Sequence, residues 1–194
     1  MSATFLSSLD LAHTAVLSMD IQKALVSIYV KDPEHFLGKV SSVISRSRER
    51  QVRVLHVQVG FRAGLPEISS RNVLCSAIKS SPQHQQIFQG PLGAIHPAVA
   101  PEGEEIVMIK HRVSAFTGTD LSMIVRANEI HTLVMFGIAT SGVVLSTALE
   151  AADADYRVAV VRDCCADLDA DLHFCLLDRL LPRQAQVISA DDFQ

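Results

Sequence analysis

Three short segments carry residue types that can do chemistry together. Leu17-Ser-Met-Asp-Ile-Gln22 closes an apolar run on Asp20, and Val107-Met-Ile-Lys-His-Arg112 closes another on Lys110. Gly137-Ile-Ala-Thr-Ser-Gly-Val-Val144 is a glycine-containing turn that opens a helical segment. An Asp and a Lys brought together form an acid–base pair whose charges stabilise one another. A turn at a helix start offers free backbone N–H groups, which receive an anion or a developing oxyanion. Each segment also has a plain structural reading, as a turn former, a solvated cation and a generic connection.

The elements that must position these residues read as β-rich apolar runs alternating with segments of helical period, the pattern of βαβ units and a parallel sheet. Strands are predicted over residues 14–20, 52–59, 105–110, 131–137, 157–162 and 186–189. Helices are predicted over 33–51, 71–79, 119–128, 141–153 and 170–181. The expected fold is a three-layer α/β/α sandwich with six mainly parallel strands, Rossmann-like, forming one domain over residues 1–194. In such sheets ligands bind at the carboxyl ends of the strands, where Asp20, Lys110 and the turn after residue 137 all fall. The connection over residues 60–104 is far longer than the others and holds Pro66, Pro82, Pro91, Pro97 and Pro101, so it is expected to line or cover that site.

Composition removes several function classes. Of 194 residues 48% are apolar and 20% charged, which excludes intrinsic disorder. The net charge of −4 gives no positive field for a phosphate backbone, so nucleic acid is not an expected partner. Residues 132–149 carry no formal charge, yet Thr140, Ser141 and Gly142 punctuate them, so a buried strand and helix start are expected there and no membrane span. The opening residues lack the basic and apolar regions of a secretory signal. Cys75, Cys164, Cys165 and Cys175 show no C-x-x-C spacing and read as reduced thiols of a cytoplasmic protein. Arg46, Arg48 and Arg50 close a helix, where cations complement the dipole, and are expected to be solvated.

Taken in order, these segments resemble the isochorismatase-like hydrolases, a superfamily that includes nicotinamidases, N-carbamoylsarcosine amidases and isochorismatases proper. The resemblance is carried by Lys110-His-Arg-Val-Ser-Ala-Phe-Thr-Gly-Thr-Asp-Leu121 and by Gly137-Ile-Ala-Thr with Val144 and Ser146-Thr-Ala148. It implies that Asp20 is the general acid or base, Lys110 its charge partner, and Ala139 a donor to the oxyanion, with a cis peptide between Ile138 and Ala139. The family's cysteine hydrolases carry their nucleophile at the position of Val143, and valine can neither ionise nor attack. Acyl-thioenzyme chemistry is therefore not expected, whereas acid catalysis with water, as in isochorismatases proper, stays open. A metal-binding Asp-x-His pattern after the second strand is missing from Val59-Gly-Phe-Arg-Ala-Gly-Leu-Pro-Glu67, so neither metal nor cofactor is expected.

Substrate contacts are expected from Gln22, Phe61, Arg62, Arg71, Asn72 and Phe116, and from Thr140, Ser141 and Gly142 of the turn. Arg62 and Arg71 would suit an anionic ligand, since guanidinium geometry matches a carboxylate; solvated loop residues are the other reading. Ser141 or Thr140 as nucleophile lacks a His placed to activate it, and Cys164 and Cys165 read as small buried hydrophobes or as cleft residues. His56 reads as a core or face residue, and His96 and His111 as pocket candidates. Two functions remain: a hydrolase of a small, anionic molecule, or a non-catalytic member that binds one. In either case a homo-oligomer, dimer or tetramer, is expected.

Overall fold

A computed structural model describes residues 5–193 of the chain. The elements are β1 (Thr14–Met19), α1 (Lys23–Tyr29), α2 (Pro33–Glu49), β2 (Arg53–Val59), α3 (Val73–Ser80), α4 (Pro82–Ile87), β3 (Ile106–Lys110), α5 (Leu121–Ala127), β4 (Thr132–Gly137), α6 (Leu145–Asp153), β5 (Arg157–Val161), α7 (Ala170–Cys175) and β6 (Gln186–Ile188). The six strands form one sheet in the order β3-β2-β1-β4-β5-β6, and all five pairings are parallel. Helices flank the sheet, giving the expected α/β architecture.

Central strands are buried on both faces, so their sequences are continuous apolar runs and do not alternate. Every residue of β1 and of β4 is buried. At the edge, β3 does alternate: Met108 and Lys110 are buried while Val107 and Ile109 are exposed. The strand order reverses between β1 and β4, which places a topological switch point beyond Met19 and Gly137. Gly137 is required there, because a Cβ on it would lie 2.1 Å from the Met19 carbonyl oxygen.

Helix α2 starts where its sequence dictates: the Asp32 side chain accepts the His35 N–H at 3.1 Å and Pro33 takes the first turn. It buries Phe36, Leu37, Val40, Val43 and Ile44. Its basic end is not solvated as expected. Arg48 pairs with Glu102 and Glu105 at 2.6 and 2.8 Å, and Arg46 donates to the Ala190 and Phe193 carbonyls at 2.8 and 3.1 Å. Both side chains tie distant segments together, a use that helix spacing alone does not reveal.

Three helices differ from expectation, and one of them, α4, was not expected in the long connection, where Pro82 opens it and Ser81 caps it by accepting the His84 N–H at 3.3 Å. Lys23–Tyr29 carries Val26, Ile28 and Tyr29, which favour strands in isolation, yet forms α1. The helix expected over 170–181 stops as α-helix at Cys175, continues as a π-helical turn over Leu176–Leu180 and ends in a 3₁₀ turn at Pro182. Among the described residues no helix is long and apolar enough to cross a membrane.

Candidate active site

Asp20 follows β1 directly and holds a φ of 57°, a left-handed conformation that Asp tolerates better than most residues. Lys110 ends β3, two strands away, and its side chain crosses the end of β2 to reach Asp20. Lys110 Nζ lies 2.8 Å from Asp20 Oδ2, and the two side chains are 4% and 5% exposed. Lys110 Nζ also donates to the Arg112 carbonyl at 3.1 Å. The second oxygen, Asp20 Oδ1, is buried with no hydrogen-bond partner. Burial pushes the Asp20 carboxyl above its ordinary value, against the pull of Lys110 and a smaller one from the Val59 N–H.

The turn after β4 supplies the other wall. The Ile138–Ala139 peptide is cis. Residues Thr140–Val144 form a π-helical turn that runs straight into α6. The Ser141 N–H is taken by Asp167 Oδ2 at 2.7 Å and the Gly142 N–H by the Ala139 carbonyl at 3.1 Å. The Ala139 N–H has no acceptor among the described residues.

Asp20, Lys110, Ala139, Ser141, Gly142 and Val143 share one cavity of about 540 Å³, a size suited to a small molecule. Val143 is buried, 2% exposed. Phe61 also lines the cavity, together with Leu25 and Tyr29 of α1 and Leu74, Cys75 and Ile78 of α3. The long insert therefore walls the site as expected, chiefly through apolar residues of α3.

Several expected contacts lie elsewhere. Gln22 is fully buried and its amide clamps the chain, donating to Val59 O and Gly93 O at 3.0 and 2.5 Å and accepting the Val59 N–H at 3.0 Å. Arg62 is exposed and pairs with Glu67 at 2.7 Å. Arg71 is exposed, and Asn72 caps α3 by accepting the Cys75 N–H at 2.9 Å. Phe116 is packed in the core with its ring 6.1 Å from that of Tyr156. Thr140 is buried, its hydroxyl 2.8 Å from His173 Nδ1. Cys164 and Cys165 are buried outside the cavity, and burial pushes the Cys165 thiol up to about 12. His56 is buried with Nε2 3.0 Å from Glu105, and His96 Nδ1 accepts the Ala98 N–H at 3.2 Å.

Several cavity residues were not singled out as site candidates from sequence, among them Arg112, Cys75 and Asp167. Arg112 lies two positions beyond Lys110; its guanidinium donates to the His111 and Glu67 carbonyls at 2.6 and 2.9 Å and meets no carboxylate among the described residues. Cys75 and Asp167 reach the cavity from α3 and from the loop before α7. His111, named as a pocket candidate, does line it, with Nδ1 2.6 Å from the Gly60 carbonyl. Among the described residues no three His, Cys, Asp or Glu side chains are gathered as a metal ion requires.

A doubly wound parallel sheet with a buried carboxylate–ammonium pair in a cavity at its switch point defines an α/β protein built around a small-molecule site. The chain belongs to the isochorismatase family, whose domain model matches residues 14–192. It is 27% identical over 155 residues to maleamate amidohydrolase of Pseudomonas putida, covering 79% of this chain and 70% of that one. Ureidoacrylate amidohydrolase of Methylobacterium radiotolerans is 27% identical over 175 residues, covering 80% and 68%. An isochorismatase family protein of Burkholderia thailandensis superposes with a TM-score of 0.82 at 27% identity, over 93% of each chain.

Proposed function

We propose that this chain is a hydrolase of a small molecule bearing an anionic group, working by acid–base chemistry on Asp20 and Lys110 without a cysteine nucleophile. Val143 stands, in this reading, where the family's cysteine hydrolases carry their thiol. The observation that carries the proposal is the free oxygen of Asp20: a carboxyl group 5% exposed, with Oδ2 on Lys110 and Oδ1 unpartnered at a ligand-sized cavity. A buried polar atom without a partner costs about 1–3 kcal/mol, which a reacting group would offset.

The protonated Oδ1 passes its proton to the leaving atom as the scissile bond breaks. A water oxygen bonds to the electrophilic carbon, and the proton that water loses returns to Asp20. Water is the only reagent consumed, and the carboxyl group is restored. Lys110 holds the carboxyl in place and balances its charge between the two transfers. The Ala139 N–H receives the charge that develops on a carbonyl or enol oxygen. Arg112, a cation with no carboxylate partner, receives the substrate's anionic group, the role expected of Arg62 and Arg71. Two relatives carry amidohydrolase names, which supports an amide or similarly activated bond as the target. The protein acts as a single cytoplasmic domain assembled into a homo-oligomer and uses no metal or cofactor.

The test is a turnover screen of amides and enol ethers run beside Asp20→Asn. General acid–base catalysis is worth about 10²–10⁴-fold, and Asp20→Asn is expected to lose that factor. Hydrolysis should decline as pH rises through the raised Asp20 pKa, because the acid form is consumed. Turnover that survives Asp20→Asn would overturn the proposal.

A further inference from the structure

The charged side chains of the cavity are largely engaged by the chain itself. The two Asp167 oxygens accept the Ser141 and Leu168 N–H groups at 2.7 and 2.8 Å. Lys110 is held by Asp20, His111 sits on the Gly60 carbonyl, and Arg112 is held on two carbonyls. What stays open is Asp20 Oδ1, the Ala139 N–H, the unpaired charge of Arg112 and the hydroxyls of Tyr29, Ser141 and Ser146, which have no hydrogen-bond partner among the described residues. These serve a few ligand atoms, and a cavity of about 540 Å³ holds many more.

The remaining wall is apolar and comes from separate elements. Leu25 and Tyr29 lie on α1, Leu74 and Ile78 stand four residues apart on α3, and Phe61 and Phe88 meet edge to face at 5.7 Å. Leu74 is 59% exposed although it lines the cavity, so the apolar wall keeps one side chain in water that a ligand could cover. Ile78 and Phe61 pack on a small satellite cluster of Leu65, Ile68 and Cys75 that is separate from the main core. This part of the wall is therefore built independently of the sheet that holds the charged pair.

We infer that the substrate is amphipathic: its reacting and anionic groups meet Asp20, Lys110 and Arg112, and an apolar alkyl or aryl group lies against the wall formed by α3, α1 and the two phenylalanines. This rests on the reading of Asp20 and Lys110 as the reacting pair. Specificity for the apolar group resides in Leu74 and Ile78, outside the charged pair.

Titration calorimetry of the full chain with acetate, butanoate, hexanoate and 3-phenylpropanoate tests this. Affinity should rise roughly fourfold per added methylene, about two orders of magnitude from acetate to hexanoate. The double variant Leu74→Ser/Ile78→Ser should flatten that slope while circular dichroism and the unfolding midpoint show an intact fold. An affinity independent of chain length, or a slope kept in the double variant, overturns the inference. A rising series in a protein that hydrolyses nothing supports the apolar site and removes the hydrolase reading. A flat series in a protein that hydrolyses small unsubstituted amides does the reverse.

Discussion

Lys110→Met would leave the Asp20 carboxyl, 5% exposed, without the ammonium group that lies 2.8 Å from it. Breaking a buried ion pair by removing one partner costs about 3–5 kcal/mol, because the remaining charge is uncompensated. For a chain of this length that lowers Tm by roughly 6–20 °C. Adding Asp20→Asn should restore about 1–3 kcal/mol: the charge is gone, the neutral amide keeps a smaller desolvation cost, and Asn accepts the φ of 57° at this position. The pH dependence has a definite sign. Burial holds the Asp20 pKa above 3.8 in the folded state, and removing Lys110, which pulls it down, raises it further. A folded pKa above the unfolded one favours folding below the unfolded value and loses that contribution as pH rises through the folded value. The deficit of Lys110→Met should therefore be small near about pH 4 and grow toward about pH 8. Urea melts of the wild type, Lys110→Met and Lys110→Met/Asp20→Asn at both values give the comparison. A deficit that does not change with pH, or a second substitution that restores nothing at the higher pH, would refute the claim that an uncompensated Asp20 charge is what destabilises the variant.

Val143→Cys, made in a Cys75→Ser/Cys175→Ser background, should give a thiol that titrates below the free value of about 8.5, since Lys110 and the helix start favour the thiolate and outweigh Asp20, which opposes it when ionised. Iodoacetamide alkylation rates against pH report it, and a value at or above 8.5 would mean the cavity has been rebuilt around valine. Glu105 is held down to about 2 although burial opposes this, because Arg48, the Glu102 N–H and His56 all bind its charged form. Its lowered pKa contributes stability that is present above about 4.5 and lost as pH falls toward about 2, so Glu105→Gln should unfold with a shallower acid limb in a fluorescence or circular dichroism titration.

The sheet was legible because its physics is one-dimensional. Strands such as Thr14–Met19 and Thr132–Gly137 are buried on both faces, and a short continuous apolar run bounded by polar or glycine residues has few other ways to fold. The strand ends differ from expectation by one residue at most, as at Arg53 and Val161. Helix α1 escaped because Val26, Ile28 and Tyr29 favour a strand when neighbours are ignored, and burial of Ala24, Leu25 and Val26 against the core overrides that preference. Arg46 and Arg48 escaped for a related reason: their partners lie 144 and 57 residues away, at Ala190 and Glu105.

The same distinction separates the parts of the site. Asp20, Lys110 and the turn at 138–144 are fixed by strand ends, and a parallel sheet delivers its strand ends to one edge whatever the loops do, so their convergence follows from order along the chain. Insert residues have no such constraint. Arg62, Arg71 and Asn72 have chemistry suited to a ligand, but a charged side chain on a loop takes the nearest partner, and here those are Glu67, solvent and the N-terminus of α3. Leu74 and Ile78 have no chemistry of their own and reach the cavity only through the way α3 packs, with Cys75 and Ile78 of that helix on the satellite cluster. In the proposed reading, the acid–base pair thus sits on a few strand-terminal residues that sequence exposes. The shape of the cavity is set by how the insert packs, and that is visible only in three dimensions.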